Sequence, residues 1–292
     1  MVARSRALAL LLVFLPWLAG VSGVLASPFY SAPRLVVLTY HDIGYPEEGH
    51  RISRERFLSH LDALEKAGYG FLPLEAVGAF LEGQYAPPEN SVMLTFDDGY
   101  VSFYREVYPI LKQRKIPAAV FIITGDAGTG RRLSWAQMRE MESDGSVHIR
   151  FYVHTHAGHD LIDTDGDGRP DSRFYAAPRW LSAEGRRETQ EEYYERVKLD
   201  LRAARLSIEA NLGHASPYAA VPGNGWSPMA SRAAQEEGYR YVFVGGRNRL
   251  VRKVGDQSPL PPLPRLDAGR PGITPQKLLE LLAGTRGIYV LP

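Results

Sequence analysis

The chain has 292 residues, of which 45% are hydrophobic and 23% charged, so it can bury the core of one large domain or two small ones. Its formal net charge of +1 excludes the basic bias of nucleic-acid-binding proteins and indicates no acidic partner. The absence of cysteine excludes disulfides, a thiolate nucleophile and lipid attachment through an N-terminal cysteine. Any bound metal must therefore be held by histidine and carboxylate.

The N-terminus has the layout of a secretory signal peptide. Two arginines precede an apolar run over residues 7–21, and small residues follow as far as Ala26. We expect a signal peptide over residues 1–26 and a mature chain over residues 27–292 that acts outside the cell, either released or associated with the cell surface. An uncleaved anchor is the alternative, but the run is short for a membrane span and Pro16 interrupts it.

Apolar, β-branched runs alternate with helical patterns along the chain. The runs with strand character lie at 35–39, 92–96, 118–123, 147–153, 239–244 and 288–291. Helix starts are indicated by the capping residues Ser134, Thr189, Ser227 and Thr274. The longest helix is expected over about 189–212, with one apolar stripe that predicts core packing. The alternation predicts an α/β fold with a mainly parallel sheet and helices outside it.

Asp97 and Asp98 follow the apolar strand at 92–96, where a turn containing Gly99 begins. Enzymes of the α/β class keep their chemistry at the ends of parallel strands. Two adjacent carboxylates at such a position need a cation, a proton or a metal ion. The pair therefore marks a candidate catalytic site.

His154 and His159 follow the predicted strand at 147–153, so they also lie at a strand exit. Zinc and similar divalent ions accept imidazole nitrogen and carboxylate oxygen, and a set of three protein ligands leaves one position for water. Asp98, His154 and His159 supply such a set for zinc, nickel, cobalt or iron, with zinc as our first choice. His156 is a rival ligand, and a solvated histidine-rich loop is the alternative.

Asp97 and His41 are the candidates for proton transfer. With Asp98 on a metal ion, Asp97 stays free and close enough to take a proton from water. A turn or capping role is the alternative for Asp97. His41 ends the strand at 35–39 and can face the same end of the sheet, where it can protonate a leaving amine. A structural role is the alternative for this histidine.

The Thr-Phe-Asp-Asp-Gly stretch at 95–99, with a His-Thr pair and a second histidine, resembles the polysaccharide deacetylase family, or family-four carbohydrate esterases. The resemblance implies a distorted (β/α) barrel that uses a divalent metal to remove acetyl groups from glycans. It also implies that Asp97 is the base and that Asp98, His154 and His159 are the metal ligands.

Two features resemble the branch that deacetylates poly-β-1,6-N-acetylglucosamine, which includes the intercellular adhesin deacetylases of biofilms. The spacing of five between His154 and His159 is typical of that branch. So is a circularly permuted motif order, with the acid histidine in an early Tyr-His-Asp segment. Here that segment is 40–42, so the resemblance implies His41 as the acid, and we assign Tyr40 to substrate binding.

The same resemblance implies three further assignments. The backbone N–H that holds the oxyanion in the family aligns with Gly223, where glycine replaces a tyrosine but keeps the N–H. The family's base-orienting arginine is missing from its usual stretch, and Arg265 is the candidate substitute. Trp180 lies in a polar insertion between His159 and Thr189 and is a candidate for stacking on a sugar, with core burial as the alternative.

The insertion also contains an acidic loop with the alternating carboxylates and the glycine of a calcium site. Its carboxylates belong to Asp163, Asp165, Asp167 and Asp171. The twelfth position of the loop is Phe174 instead of glutamate, so a Ca²⁺ site and a solvated acidic loop remain alternatives.

These features together predict a secreted, monomeric, metal-dependent N-deacetylase that acts on poly-β-1,6-N-acetyl-D-glucosamine and has no nucleic-acid partner. A deacetylase of peptidoglycan, of chitooligosaccharides or of an O-acetylated polymer is an alternative with the same chemistry. A catalytically silent glycan-binding module is the alternative from another class, and the complete set of site residues argues against it.

Overall fold

The structure is a computed structural model that describes residues 34–246, 250–253, 261–285 and 287–291. The expected signal peptide at 1–26 lies outside the described residues, so its cleavage and export stay predictions. Across the described part of the chain, no helix is both long enough and apolar enough to cross a membrane.

Among the described residues, seven parallel strands close into a barrel. In chain order they are β1 (Arg34–Tyr40), β2 (Ser91–Phe96), β3 (Ala118–Ile123), β4 (Ile149–Thr155), β5 (Tyr218–Ala220), β6 (Tyr241–Gly245) and β7 (Leu263–Asp267). Each strand pairs in parallel with the next, and β7 pairs in parallel with β1, which closes the ring. The predicted α/β barrel is therefore confirmed.

Helices lie outside the ring or connect its strands. They are α1 (Arg54–Lys66), α2 (Ala76–Leu81), α3 (Tyr108–Arg114), α4 (Trp135–Ser143), α5 (Gln190–Leu212), α6 (Pro228–Glu236) and α7 (Pro275–Gly284). A π-helical turn at Phe103–Val107 precedes α3, and 3-10 turns lie at Thr124–Asp126 and Pro222–Asn224. The four predicted capping residues are confirmed, because each side chain accepts a hydrogen bond from the backbone N–H three residues further on.

In the described part of the chain, further short strands lie outside the seven-stranded ring. Gly70–Phe71, Leu250–Lys253 and Ile288–Leu291 extend the barrel sheet beyond the ring. Three two-stranded sheets join Asp42–Ile43 to Arg51–Ile52, Leu161–Ile162 to Ser172–Arg173, and Trp180–Leu181 to Arg186–Arg187. The last two of these sheets lie in the polar insertion, which therefore has a local structure of its own.

Side chains of the barrel strands alternate between the interior and the surrounding helices. In β1, Leu35 and Val37 belong to the interior cluster, whereas Val36 and Leu38 belong to the outer one. Helix α2 closes the N-terminal end, and a Cβ at Gly78 would lie 2.9 Å from the Tyr241 hydroxyl oxygen. The C-terminal ends of the strands are thus left to form the pocket described below.

Two strand predictions are wrong in their boundaries. The strand predicted at 147–153 covers Ile149–Thr155, so His154 belongs to the strand instead of following it. The strand predicted at 239–244 begins at Tyr241, because Tyr239 packs against α5 and its hydroxyl donates to the backbone oxygen of Leu201 at 2.8 Å. Neither β5 nor β7 was predicted from the sequence, since β5 has only three residues and β7 contains a proline.

Candidate active site

The C-terminal ends of the barrel strands surround a pocket of about 550 Å³, within the usual size range of small-ligand sites. Residues predicted from separate parts of the chain line it together. They are His41 after β1, Asp97 and Asp98 after β2, His154 in β4, His159 in the following turn, Gly223 after β5 and Arg265 in β7. The fold therefore assembles these seven side chains or backbone groups around one space.

The turn that carries the two carboxylates has an unusual backbone. Asp98 and Gly99 have φ angles of +71° and +66°, in the left-handed region that favours glycine. A Cβ at Gly99 would lie 2.9 Å from Cγ2 of Ile122, so this position has no room for a side chain. Holding Asp98 in this conformation costs about 1–2 kcal/mol. Such strain is found where the surrounding structure imposes it, often at functional sites.

Asp98, His154 and His159 form the cluster that was predicted to hold a metal ion. Oδ1 of Asp98 lies 3.4 Å from Nε2 of His154 and 3.1 Å from Nε2 of His159. Nδ1 of His154 lies 2.8 Å from the backbone oxygen of Ala220. Because a carbonyl oxygen only accepts, Nδ1 carries the proton and the lone pair of Nε2 faces Asp98.

The chemistry of this donor set fits a divalent cation. Oδ1 of Asp98 is buried and has no hydrogen-bond partner among the described residues. Burial raises the pKa of Asp98, but the imidazoles of His159 and His154 more than offset it, so the net shift is downward. Burial lowers the pKa of His154 to about 4, so this imidazole is neutral at pH 7. An anionic oxygen and a neutral imidazole are the forms that bind zinc or a similar ion.

Asp97 is held by Arg265, the predicted substitute for the base-orienting arginine. Nη1 and Nη2 of Arg265 donate to Oδ1 and Oδ2 of Asp97, each at 2.7 Å. Both residues are 3% exposed. Burial raises the pKa of Asp97, but the charge and hydrogen bonds of Arg265, together with His154 and His41, more than offset it, so the pKa lies below its ordinary value. The pair therefore keeps Asp97 ionised and fixes the plane of its carboxylate.

His41 reaches the same pocket from the end of β1. Its Nε2 lies 4.0 Å from Oδ2 of Asp97. Its ring packs on His50 with the centroids 4.3 Å apart, and Nδ1 of His50 lies 3.6 Å from Oδ2 of Asp267. Burial, and then the neighbouring His41, lower the pKa of His50. His41 thus faces the candidate base on one side and a second histidine on the other, and no sequence pattern indicated His50 or Asp267.

The loop that follows His154 is held by Asp200, a residue that sequence reasoning missed. Asp200 is buried in α5 and accepts hydrogen bonds from the Thr155 hydroxyl at 2.7 Å and from the backbone N–H groups of His156 and Ala157 at 3.0 and 2.7 Å. The Tyr175 hydroxyl also donates to it. In the sequence, its role was indicated only by the presence of one carboxylate beside the apolar stripe of a long helix.

Three predicted residues do not reach the pocket. Tyr40 is wrong as a substrate contact, because it is fully buried on the outer face of β1 with its hydroxyl 3.2 Å from Nδ1 of His60. His156 is wrong as the rival ligand, because its Nδ1 contacts the Thr124 hydroxyl at 2.9 Å and it lies outside the cluster. Trp180 is half-buried and lies over Gly166, so the structure does not bring it to this pocket.

Gly223 lines the pocket within the turn Pro222–Asn224, where its φ of +55° favours glycine. Arg173, from the insertion, also lines the pocket. Neither composition nor spacing indicated Arg173, because its strand is short and pairs only with its own insertion.

The predicted calcium loop is held by its own hydrogen bonds. Asp163 accepts from the backbone N–H groups of Gly166 and Gly168 at 2.8 and 2.9 Å. Carboxylate oxygens of Asp163, Asp165 and Asp167 lie within 4.8 Å of one another. Asp171 does not join them and instead accepts from the backbone and hydroxyl of Thr164. Calcium binding stays a prediction.

Comparison with solved structures reveals the same fold elsewhere. A de-N-acetylase from Aggregatibacter actinomycetemcomitans superimposes with a TM-score of 0.73 at 24% identity, over 85% of this chain and 99% of that one. IcaB from Ammonifex degensii superimposes with a TM-score of 0.60 at 29% identity, over 72% of this chain and 83% of that one.

Comparison of sequences identifies relatives as well. The chain is 33% identical over 120 residues to a poly-beta-1,6-N-acetyl-D-glucosamine N-deacetylase of Staphylococcus aureus (strain MRSA252). That alignment covers 39% of this chain and only 40% of the relative's length. Residues 84–242, more than half of the chain, match the family model described as polysaccharide deacetylase. The chain therefore belongs to the polysaccharide deacetylase family.

Proposed function

We propose that this chain is a secreted, metal-dependent N-deacetylase of poly-β-1,6-N-acetyl-D-glucosamine, the polymer of biofilm matrices. One observation carries the chemistry: the convergence of Asp98, His154 and His159 next to an ionised Asp97 that Arg265 holds in place. The name of the Staphylococcus aureus relative supports the choice of glycan. The signal-like residues 1–26 support export, and we take the mature protein to be a monomer that is released or held at the cell surface.

Asp98, His154 and His159 would hold the ion, with zinc as first choice and nickel, cobalt or iron as alternatives. When bound there, a divalent ion would supply Lewis-acid chemistry, polarising an acetyl carbonyl and lowering the pKa of water. Two of the three ligands, Asp98 and His154, are buried and lie at the ends of barrel strands, so the barrel positions them.

Asp97 would act as the general base. Its two oxygens are fixed by Arg265, so it meets the attacking water as an oriented, ionised carboxylate. His41, with Nε2 4.0 Å from Asp97, would protonate the glucosamine nitrogen as the amide bond breaks. The backbone N–H of Gly223 would donate a hydrogen bond to the oxygen that gains negative charge. Each group is on the rim of the same pocket, as the reaction requires.

The test is mass spectrometry of acetylated oligomers after incubation with the zinc-loaded full chain. We expect loss of acetyl groups from β-1,6-linked N-acetylglucosamine oligomers, with slower loss from β-1,4-linked ones. In Asp97→Asn the rate should fall by about 10²-fold or more, because a positioned base contributes that much. Asp160→Asn is the matched control, since Asp160 is exposed in the adjacent loop.

The outcomes separate the alternatives. Hydrolysis of β-1,4-linked oligomers alone would keep the chemistry and change the glycan to peptidoglycan or chitooligosaccharide. Release of acetate only from O-acetylated polymers would make the chain an esterase. Binding of oligomers without hydrolysis at saturating zinc would indicate a glycan-binding module and refute the proposal.

A further inference from the structure

Arg173 lines the candidate active site but has no role in the chemistry described so far. It ends the short strand Ser172–Arg173 in the insertion and is half-buried. Within the described ranges, its guanidinium has no carboxylate within ion-pair distance and no hydrogen-bond acceptor. By contrast, Nη1 and Nη2 of Arg265, at the same pocket, both donate to Asp97. The Arg173 guanidinium is therefore available to a ligand.

The position of Arg173 depends on two glycines after β5. A Cβ at Gly223 would lie 2.2 Å from Nε and 2.4 Å from Cζ of Arg173, closer than any real contact. A Cβ at Gly225 would lie 2.0 Å from Cβ of Arg173. The arginine side chain therefore lies along this turn and fills the space of the two missing side chains. Its charged end is beside Gly223, and its stem is beside Gly225.

This placement puts a permanent positive charge next to the backbone group proposed to bind the acetyl oxygen. A guanidinium presents five N–H donors and no acceptor, and it stays protonated throughout the accessible pH range. It can therefore donate to an oxygen that is neutral in the substrate and negative in the product. The carboxylates that line the pocket have other partners. Asp97 pairs with Arg265, and Asp98 faces the two ligand histidines. Asp42 and Glu48 pair with Arg51, and Asp267 pairs with Arg270.

We propose that Arg173 is a catalytic residue that contacts the acetyl group, which rests on the deacetylase function proposed above. Its guanidinium donates hydrogen bonds to the acetyl oxygen beside Gly223 and stabilises the negative charge that forms there. In the reaction a C–O bond forms from water and the amide C–N bond breaks. Both water protons end on the glucosamine nitrogen as an ammonium group, and acetate leaves. Arg173 transfers no proton and holds the charge of the departing acetate.

The test combines truncation with chemical rescue. In Arg173→Ala we expect kcat to fall by about 10²-fold, the usual cost of losing one donor to a developing oxyanion. Zinc binding, measured by competition with a chelator, should not change. Millimolar methylguanidine should restore part of the lost kcat, because the truncation leaves a space of its shape. In Arg169→Ala, an exposed arginine of the same insertion, neither the truncation nor methylguanidine should alter kcat.

A second variant and a second measurement distinguish a catalytic role of Arg173 from a purely structural one. Arg173→Lys keeps the charge but not the planar fork, so its kcat should lie between those of wild type and Arg173→Ala. Inhibition by acetate should also weaken in Arg173→Ala. The inference is overturned if kcat of Arg173→Ala is unchanged, or if both variants lose zinc binding and methylguanidine restores nothing. An inactive wild type would instead overturn the proposed function itself.

Discussion

The barrel rim and the polar insertion hold their polar side chains in different ways. At the rim, Asp97 and Asp98 are 3% and 6% exposed, and their partners come from distant barrel strands. In the insertion, the side chain of Asp163 accepts hydrogen bonds from the backbone N–H groups of its own loop. The rim groups cannot relax into water, so the fold determines their ionisation and direction. The polar side chains of the insertion are held by their own loop. Such a side chain can contribute to catalysis only if it extends over the pocket.

The comparison predicts that the largest loss follows removal of a rim ligand. In Asp98→Asn we expect zinc to be lost and deacetylation to fall by about 10³-fold or more, because the ion supplies several kcal/mol of transition-state stabilisation. Elemental analysis and acetate release measure the two effects. His156→Ala is the matched control and should keep its zinc, since His156 contacts Thr124 outside the cluster. Zinc retained by Asp98→Asn would remove Asp98 from the ligand set.

A second rim substitution should lower stability in a pH-dependent way. In Arg265→Gln, Asp97 stays buried without its cation, and we expect the free energy of unfolding at pH 7 to fall by about 3–5 kcal/mol. The ion pair with Arg265 lowers the pKa of Asp97 in the folded state. Its contribution to the free energy of unfolding is therefore present above the ordinary pKa of aspartate, and it is lost as the pH falls through the pKa of the folded state.

The deficit of Arg265→Gln should therefore shrink as the pH falls below about 4, the ordinary pKa of aspartate. Urea unfolding at neutral and acidic pH measures it. Arg270→Gln, which changes an exposed arginine at the pocket mouth, should differ from wild type by less than about 0.5 kcal/mol. An equal loss in the free energy of unfolding for the two variants would contradict the interpretation of Asp97 and Arg265 as a buried ion pair.

A substitution between the two regions should have an intermediate effect. Asp200 joins α5 to the loop that carries His159, and in Asp200→Asn its backbone and hydroxyl donors lose their anionic acceptor. We expect zinc affinity to fall by about 10–100-fold, the range for groups that orient metal ligands. Chelator competition measures it, with Glu195→Gln on the exposed face of the same helix as control. Unchanged affinity would show that the barrel alone orients His159.

The smallest effect should come from the outer part of the insertion. Trp180 covers Gly166 and lies away from the pocket, so Trp180→Ala should leave kcat/KM on short oligomers within about a factor of two of wild type, a barrier change below 0.5 kcal/mol. Steady-state acetate release measures this. A large rise in KM would mean that Trp180 binds sugar after all and would reduce the contrast between the two regions.

Local sequence patterns predicted the strands that bury β-branched residues and the residues at their ends. The alternation of side chains along β1 also predicts the face on which Tyr40 lies. Leu35 and Val37 share the interior face, so Tyr40 lies on the outer face with Val36 and Leu38. The assignment of Tyr40 to substrate binding ignored this parity. Its neighbour His41 lies beyond the last residue of β1 and is free to turn towards the pocket.

Other features depend on contacts that no local pattern records. Arg265 reaches Asp97 only because β7 pairs with β1, and this pairing closes the barrel. Arg173 reaches the pocket because two glycines after β5 leave space for it. Asp200 is one carboxylate beside an apolar stripe, and its significance lies in the loop packed against it. These contacts join residues that are far apart in the chain. Local patterns therefore missed Arg173 and Asp200, and only the family resemblance indicated Arg265.

Anomalous diffraction at the zinc edge, from crystals of the zinc-loaded protein, tests the central claim most directly. The predicted result is an anomalous peak about 2.0–2.2 Å from Oδ1 of Asp98 and from Nε2 of both His154 and His159. Zinc bound elsewhere, with these three side chains uncoordinated, would contradict the metal site and the chemistry built on it.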